Sequence, residues 1–196
     1  MKIKMIWSMV LILFVALPKS SHPQIRKGLH EISISGSYGS IKYDGDKEFT
    51  NFLNLPIRYG FYPAKQISIE PELIYTKIEE IDPGYVASFN LALNFSQLSV
   101  ETKAVPFLLV GAGFSNAQPV FQHFTPGKDG RDVTFKIINV GAGLKLFLSK
   151  SVALRLEYRF QKFNAGEKEI GFDDWRYTEK IGSTMHHIYW GISAFF

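Results

Sequence analysis

From Leu29 to the final residue, large apolar side chains recur at every second position, and no helical period persists beyond a turn or two. The segment FTNFLNLPIRYGFYP sets Phe49, Leu53, Leu55, Ile57, Tyr59 and Phe61 on one face, with Asn51 among them. Its other face carries Thr50, Asn54, Arg58 and Gly60, where Phe52 and Tyr62 are out of place. QISIEPELIYTKIEEI repeats the pattern with Ile67, Ile69, Leu73 and Tyr75 against Ser68, Glu70 and Glu72; Pro71 lacks an amide donor and predicts a bulge or distortion there. YVASFNLALNFS alternates cleanly, and SVALRLEYRFQKF opposes Val152, Leu154, Leu156, Tyr158 and Phe160 to Arg155, Glu157, Arg159 and Gln161. The last eleven residues, HHIYWGISAFF, align His186, Ile188, Trp190, Ile192, Ala194 and Phe196, with Phe195 breaking the rule on the opposite face.

With HEISISGSYGSIKY, PFLLVGAGFS and VTFKIINVGAGLKLFLS, the chain predicts eight strands of about ten or more residues each. PFLLVGAGFS is apolar on both faces, so its inward side stays open. The connections alternate in length. PAK, SKS and the stretch around Val100–Ala104 are short; DGDK, EEIDPG, NAQPVFQHFTPGKDGRD and NAGEKEIGFDDWRYTEKIG are longer. A sheet with tight turns at one rim and loops at the other has this rhythm.

Alternation alone fits two opposite objects. A soluble barrel or sandwich turns its apolar face inward, whereas a membrane barrel turns it to lipid and lines its interior with polar groups. Strand length favours lipid, since globular strands average about five or six residues and membrane-spanning ones about 9–11. So do the amphipathic rings near strand ends, Tyr59, Tyr75, Tyr85, Tyr158 and Trp190 among them. A terminal strand that stops on Phe196 needs a partner for its edge, and pairing with the first strand would remove both edges.

Composition adjusts this picture in two places. The chain of 196 residues carries a formal charge of +4, but three of its basic residues, Lys2, Lys4 and Lys19, lie in MKIKMIWSMVLILFVALPKSS. That segment has the order of a secretory signal peptide, a basic start, an apolar run from Met5 to Leu17, then Pro and small residues. The expected organisation is a cleaved signal over 1–21 and one barrel domain over 22–196; the remainder is nearly neutral, which removes the electrostatic footing for nucleic-acid binding. The absence of cysteine excludes thiol catalysis, cysteine metal sites and a lipid-modified cysteine anchor.

The terminal IYWGISAFF, with Tyr189, Trp190, Ile192 and Phe196, resembles the signal read by the outer-membrane assembly machinery of Gram-negative bacteria. PFLLVGAGFS and INVGAGLKLFLSKSVALRLEYRF look like successive strands of the small opacity-type and outer membrane protein A-like barrels. This resemblance covers the chain after the leader. It implies an all-β, eight-stranded antiparallel transmembrane barrel in meander order, located in the outer membrane, with the assembly machinery and membrane lipid as partners. No peptidoglycan-binding segment follows Phe196 in this sequence, so that function of some of these proteins is not expected to carry over.

With apolar faces outward, Glu31, Arg58, Glu70, Glu72, Lys145, Arg155, Glu157 and Arg159 point into a lumen only wide enough for side chains. Such charges are expected to pair as a structural plug rather than line a channel. Gly111-Ala-Gly113 and Gly141-Ala-Gly143 are not phosphate loops, because neither completes the fingerprint or opens a helix. His186 and His187 project to opposite faces and do not form a chelating pair. No cofactor or metal is expected. A lipid A-modifying enzyme would need a Ser beside a His on one strand face, and His186 has only Thr184 and Ile188 as such neighbours. Specificity is expected in the loops, where Phe121, His123, Phe124, Phe172, Trp175 and Tyr177 could meet a surface or host ligand or simply cap the barrel mouth. The expectation is a monomeric, non-enzymatic barrel that is structural or presents loops for adhesion; a lipocalin-like soluble barrel holding a small apolar ligand is the alternative.

Overall fold

The computed structural model describes residues 25–41, 50–78, 83–95, 103–116, 134–172 and 175–196. Eight strands follow one another: β1 (His30–Ile41), β2 (Thr50–Ala64), β3 (Ile67–Ile78), β4 (Gly84–Asn94), β5 (Ala104–Ser115), β6 (Phe135–Phe147), β7 (Val152–Phe172) and β8 (Trp175–Phe195). Each pairs antiparallel with its neighbour in sequence, and β8 pairs with β1 to close the barrel. Closure is completed outside the strands proper. His30 and Phe196 exchange backbone bonds of 3.0 and 3.1 Å, which uses the end of the chain to satisfy the start of the sheet.

The sidedness predicted from alternation holds along the strands. In β4 the exposed and buried positions alternate without a fault. Leu156 is 51 % exposed while Arg155 and Glu157 on either side are 2 % and 1 %. That ordering overturns the soluble lipocalin-like alternative, which requires the reverse. β5 is settled as well: Phe107 and Leu109 face inward and Leu108 and Val110 outward.

Pro71 distorts less than expected. Paired residues run Arg58↔Glu72 and then Phe61↔Ile69, one register on both sides of Pro71, while on β4 it stands opposite Phe89. The register shift in this hairpin falls instead between Phe61 and Ala64, beside the tight turn at Lys65 and Gln66. The missing proline donor falls where β2 and β3 make no registered pair, so the strands absorb it without slipping.

A second correction concerns the stretch from Asn164 to Gly182, expected as a long loop. β7 and β8 continue their pairing through it to Phe172↔Trp175, past a register shift between Asn164 and Gly166. β6 leaves β7 at Asn164 and β1 leaves β8 at Trp190. Beyond those points the two strands form a ribbon of their own among the described residues.

The inside of the barrel is layered. At the short-turn mouth Ile25 and Leu29 pack with Tyr62, Val105, Phe147, Ala153 and Phe195. Gly28, at φ 78°, turns the entering segment so that its amide reaches the Tyr62 carbonyl at 2.8 Å. At the loop-side end Ile74, Val86, Phe135, Ile137 and Phe163 form a second apolar layer, with Met185 against it. Charged groups occupy the space between, beside a third apolar cluster of Ala92, Phe107 and Leu109 on β4 and β5.

Candidate functional site: the luminal ion network and the outer wall

All eight predicted luminal charges point inward and are buried. β2 and β3 supply Arg58, Glu70 and Glu72, β7 supplies Arg155, Glu157 and Arg159, and β1 and β6 add Glu31 and Lys145 from the sides. Strand alternation explains the local half of this, because Arg155, Glu157 and Arg159 sit two residues apart and share one face. Arg155 donates from Nε to Glu157 at 3.0 Å and from Nη2 to Glu70 at 2.9 Å, bridging neighbours along its strand and across the lumen. Arg159 reaches Glu72 at 2.5 Å and also pairs with Glu157. Arg58 pairs with Glu72, bonds Glu157 at 3.2 Å and lies 3.6 Å from Glu70.

A subsidiary group sits nearer the short-turn mouth. Lys145 donates to Glu31 at 2.7 Å and to the Tyr62 hydroxyl at 2.6 Å, and that hydroxyl donates in turn to Glu31 at 2.5 Å. Arg155 ties the two groups together through Glu31, at 3.4 Å. Four acids and four bases thus neutralise one another. Arg159 meets both carboxylate oxygens of Glu72 through two of its N–H groups, the forked geometry that best repays desolvation.

Polar and aromatic neighbours absorb what remains. Ser88 donates to Glu72 at 3.0 Å and Ser68 to Glu70 at 2.7 Å. Gln161 donates to Asn139 at 2.9 Å, and Asn139 to Asn90 at 3.1 Å. The Arg155 guanidinium lies 4.3 Å from the Phe107 ring centre, and that of Arg159 5.0 Å from Tyr189. Room for the Phe107 ring comes from Gly143, where an added Cβ would collide with it.

Alternation makes the eight charges legible, but it does not single out the groups that seal them in. A signal for those is present all the same. Tyr62 and Phe195, which break the alternation at strand ends, are two of the residues that close the short-turn mouth. Phe195 lies with its ring centre 5.0 Å from that of Phe147 and 6.4 Å from that of Tyr62.

His187 faces inward, its Nδ1 3.3 Å from Asn54 Nδ2, while His186 faces out with Nδ1 2.6 Å from the Tyr158 hydroxyl and its ring edge-on to Phe160. His30 is also outward, 2.5 Å from the Tyr59 hydroxyl and stacked on Phe196. Both outward histidines therefore have aromatic partners, at opposite ends of the wall. Of the terminal-strand residues, Trp190 and Phe196 are exposed on the outside, Ile192 is half-buried, and Tyr189 is inside. Phe121, His123 and Phe124 lie outside the described residues, as does the leader. Phe172, Trp175 and Tyr177 belong to the paired ribbon, not to a loop.

A belt of Ile34, Ile57, Leu73, Phe89, Leu108, Val110, Ile138, Val140, Leu156 and Ile188 encircles the outside, each about half exposed or more. Water does not tolerate a continuous apolar wall of this size, and a polar interior with an apolar exterior defines a transmembrane β-barrel. Solved structures agree on the fold. The N-terminal barrel domain of Pseudomonas aeruginosa OprF matches with a TM-score of 0.54 at 13 % identity, over 87 % of this chain and 98 % of that one. Neisserial surface protein A matches with a TM-score of 0.55 at 12 % identity, over 86 % of this chain and 97 % of that one. The outer membrane protein OprG from Pseudomonas aeruginosa gives 0.52 at 11 % identity, over 90 % and 99 %. No protein-family model and no curated protein sequence matches the chain.

Proposed function

We propose that the protein is a monomeric, non-enzymatic barrel of a Gram-negative outer membrane, exported by a signal cleaved near residue 21, that serves as a rigid stand for the elements at its loop-side rim. The lumen supports this reading: a charge-neutral ion network fills it between an apolar cluster at the short-turn mouth and a second on β3, β4, β6 and β7 toward the loop side. A barrel so filled acts through its surface. The charge network is its core, in the place a soluble protein gives to hydrocarbon. Trp190, Ile192 and Phe196 serve, with Tyr189, as the recognition strand for the assembly machinery, as their resemblance to that signal implies.

Adhesion or interaction resides at the loop-side rim, in residues 117–133 with Phe121, His123 and Phe124, and in the ribbon that carries Phe172, Trp175 and Tyr177. Ordered strands present side chains at lower entropic cost than a free loop, which favours the ribbon as a contact element. Bacteria expressing the protein are expected to adhere to epithelial monolayers above the vector control. Exchange of residues 116–132 for a Gly-Ser turn, or of Trp175 and Tyr177 for Ala, should return adherence to that control. Unchanged adherence in both variants would remove the interactive role and leave a structural barrel.

A further inference from the structure

The short-turn rim has a charge pattern of its own. Arg26, Lys27, Lys65, Lys103 and Lys150 are all exposed there, and no ion pair holds any of them among the described residues. The described part of this rim contains no Asp or Glu; Glu101, outside the described residues, is the one acid the sequence places between its strands. The opposite rim reverses the sign in places, as in 79–83, which holds Glu79, Glu80 and Asp82 and no base.

Below the basic rim the outer wall is indented. A groove of about 460 Å³ runs across β3, β4, β5 and β6, lined by the outward faces of Ile67, Leu91, Leu93, Leu108, Val110 and Val140. Its volume is that of an ordinary small-molecule site, about 300–1,000 Å³. The groove begins at the first residue of β3 and the last outward positions of β4, hence in the half of the wall nearer the short turns. Lys65 lies two residues before Ile67, in the turn leading into the groove, and Lys103 immediately precedes β5.

We propose that this groove, with Lys65 and Lys103 at its head, binds one anionic phospholipid from the leaflet on the short-turn side. The proposal rests on the membrane-barrel reading above. An acyl chain fits an apolar indentation within the hydrocarbon zone, and its phosphate lies toward the interface, where Lys65, two residues before Ile67, and Lys103, five before Leu108, carry unpaired ammonium groups. Lysines at that level keep their stems along the wall and their heads in the headgroup layer. Zwitterionic lipid fills the groove equally well but gains less from the lysines, so headgroup charge decides occupancy.

Native mass spectrometry of the folded protein, released from mixed micelles of phosphatidylglycerol and phosphatidylcholine with identical chains, tests this. The wild type should retain one phosphatidylglycerol in preference to phosphatidylcholine. Each lysine beside an anionic headgroup is worth about fivefold in affinity, so Lys65→Gln with Lys103→Gln should cut the preference about 25-fold. Leu93→Trp with Leu108→Trp should fill the groove and lower retention of both lipids. Lys162→Glu, exposed at the other rim, should change neither. Equal retention of the two lipids, an effect of Lys162→Glu as large as that at Lys65 and Lys103, or full retention by the groove-filled variant would overturn the site. Each sample is first checked for a heat-dependent shift on a detergent gel. A wild type that migrates identically boiled and unboiled would bring down the barrel reading itself, whereas failure of lipid selection in a protein that passes overturns the lipid site alone.

Discussion

Glu72 accepts from Arg58 and from Arg159 while also holding Ser88 and Asn90, so four luminal groups depend on one carboxylate. Glu72→Gln leaves two buried guanidinium groups under-compensated, and a broken buried pair costs about 3–5 kcal/mol. Urea unfolding in detergent should register a loss of that size, against a change within about 0.5 kcal/mol for Lys162→Ala on the surface. Gly143 offers a second test. Gly143→Val would press into the Phe107 ring and equally into the Leu156 backbone carbonyl, and the side-chain part of this overpacking costs about 1–3 kcal/mol. Pairing it with Phe107→Leu should recover part of the loss, and a double-mutant cycle in the same unfolding assay measures how much.

At the level of the strand, each outward position has a depth, and depth sets the penalty for a charge. Leu156 pairs with Leu144 and with Trp190 well inside the wall, deeper than the strand-end position expected for that ring, whereas Phe61 lies at the rim beside Tyr62 and the turn. Leu156→Arg should therefore cost about 2–4 kcal/mol and Phe61→Arg about 0–1 kcal/mol when refolding into vesicles is titrated. Equal penalties would mean that one of the two strands does not span the bilayer. The alternation of β2 and β7, with the tight turns that bound them, is enough to make this contrast readable. The ribbon is not readable in that way, because its turn-forming residues and charges, as in NAGEKEIGFDDWRYTEK, describe a loop as well as an exposed hairpin. Only the pairing of β7 with β8 distinguishes them, and that pairing is a backbone property that composition does not record.

For the whole molecule, the layered lumen predicts electrical silence. Planar bilayers containing the protein should show no steady open-channel current, and Arg58→Ala with Glu72→Ala should not create one, because the apolar layers at both mouths remain. Opening should require Phe135→Ala and Phe163→Ala together with Tyr62→Ala and Phe195→Ala in that background. A steady conductance in the wild type would mean that the layers do not seal.

Strand number, sidedness and the eight inward charges follow from the sequence alone, because all three depend on the period of two that every extended chain obeys. Which acid meets which base does not. Arg155 and Glu70 are joined across the barrel between β7 and β3, and Lys145 and Glu31 between β6 and β1. Those partners are set by closure and register, which are properties of the assembled sheet. The same holds for the inward side of β5, where two apolar faces carry no local signal, and for the apolar layers, where isolated exceptions to alternation become mouths of a barrel only once eight strand ends are gathered in a ring.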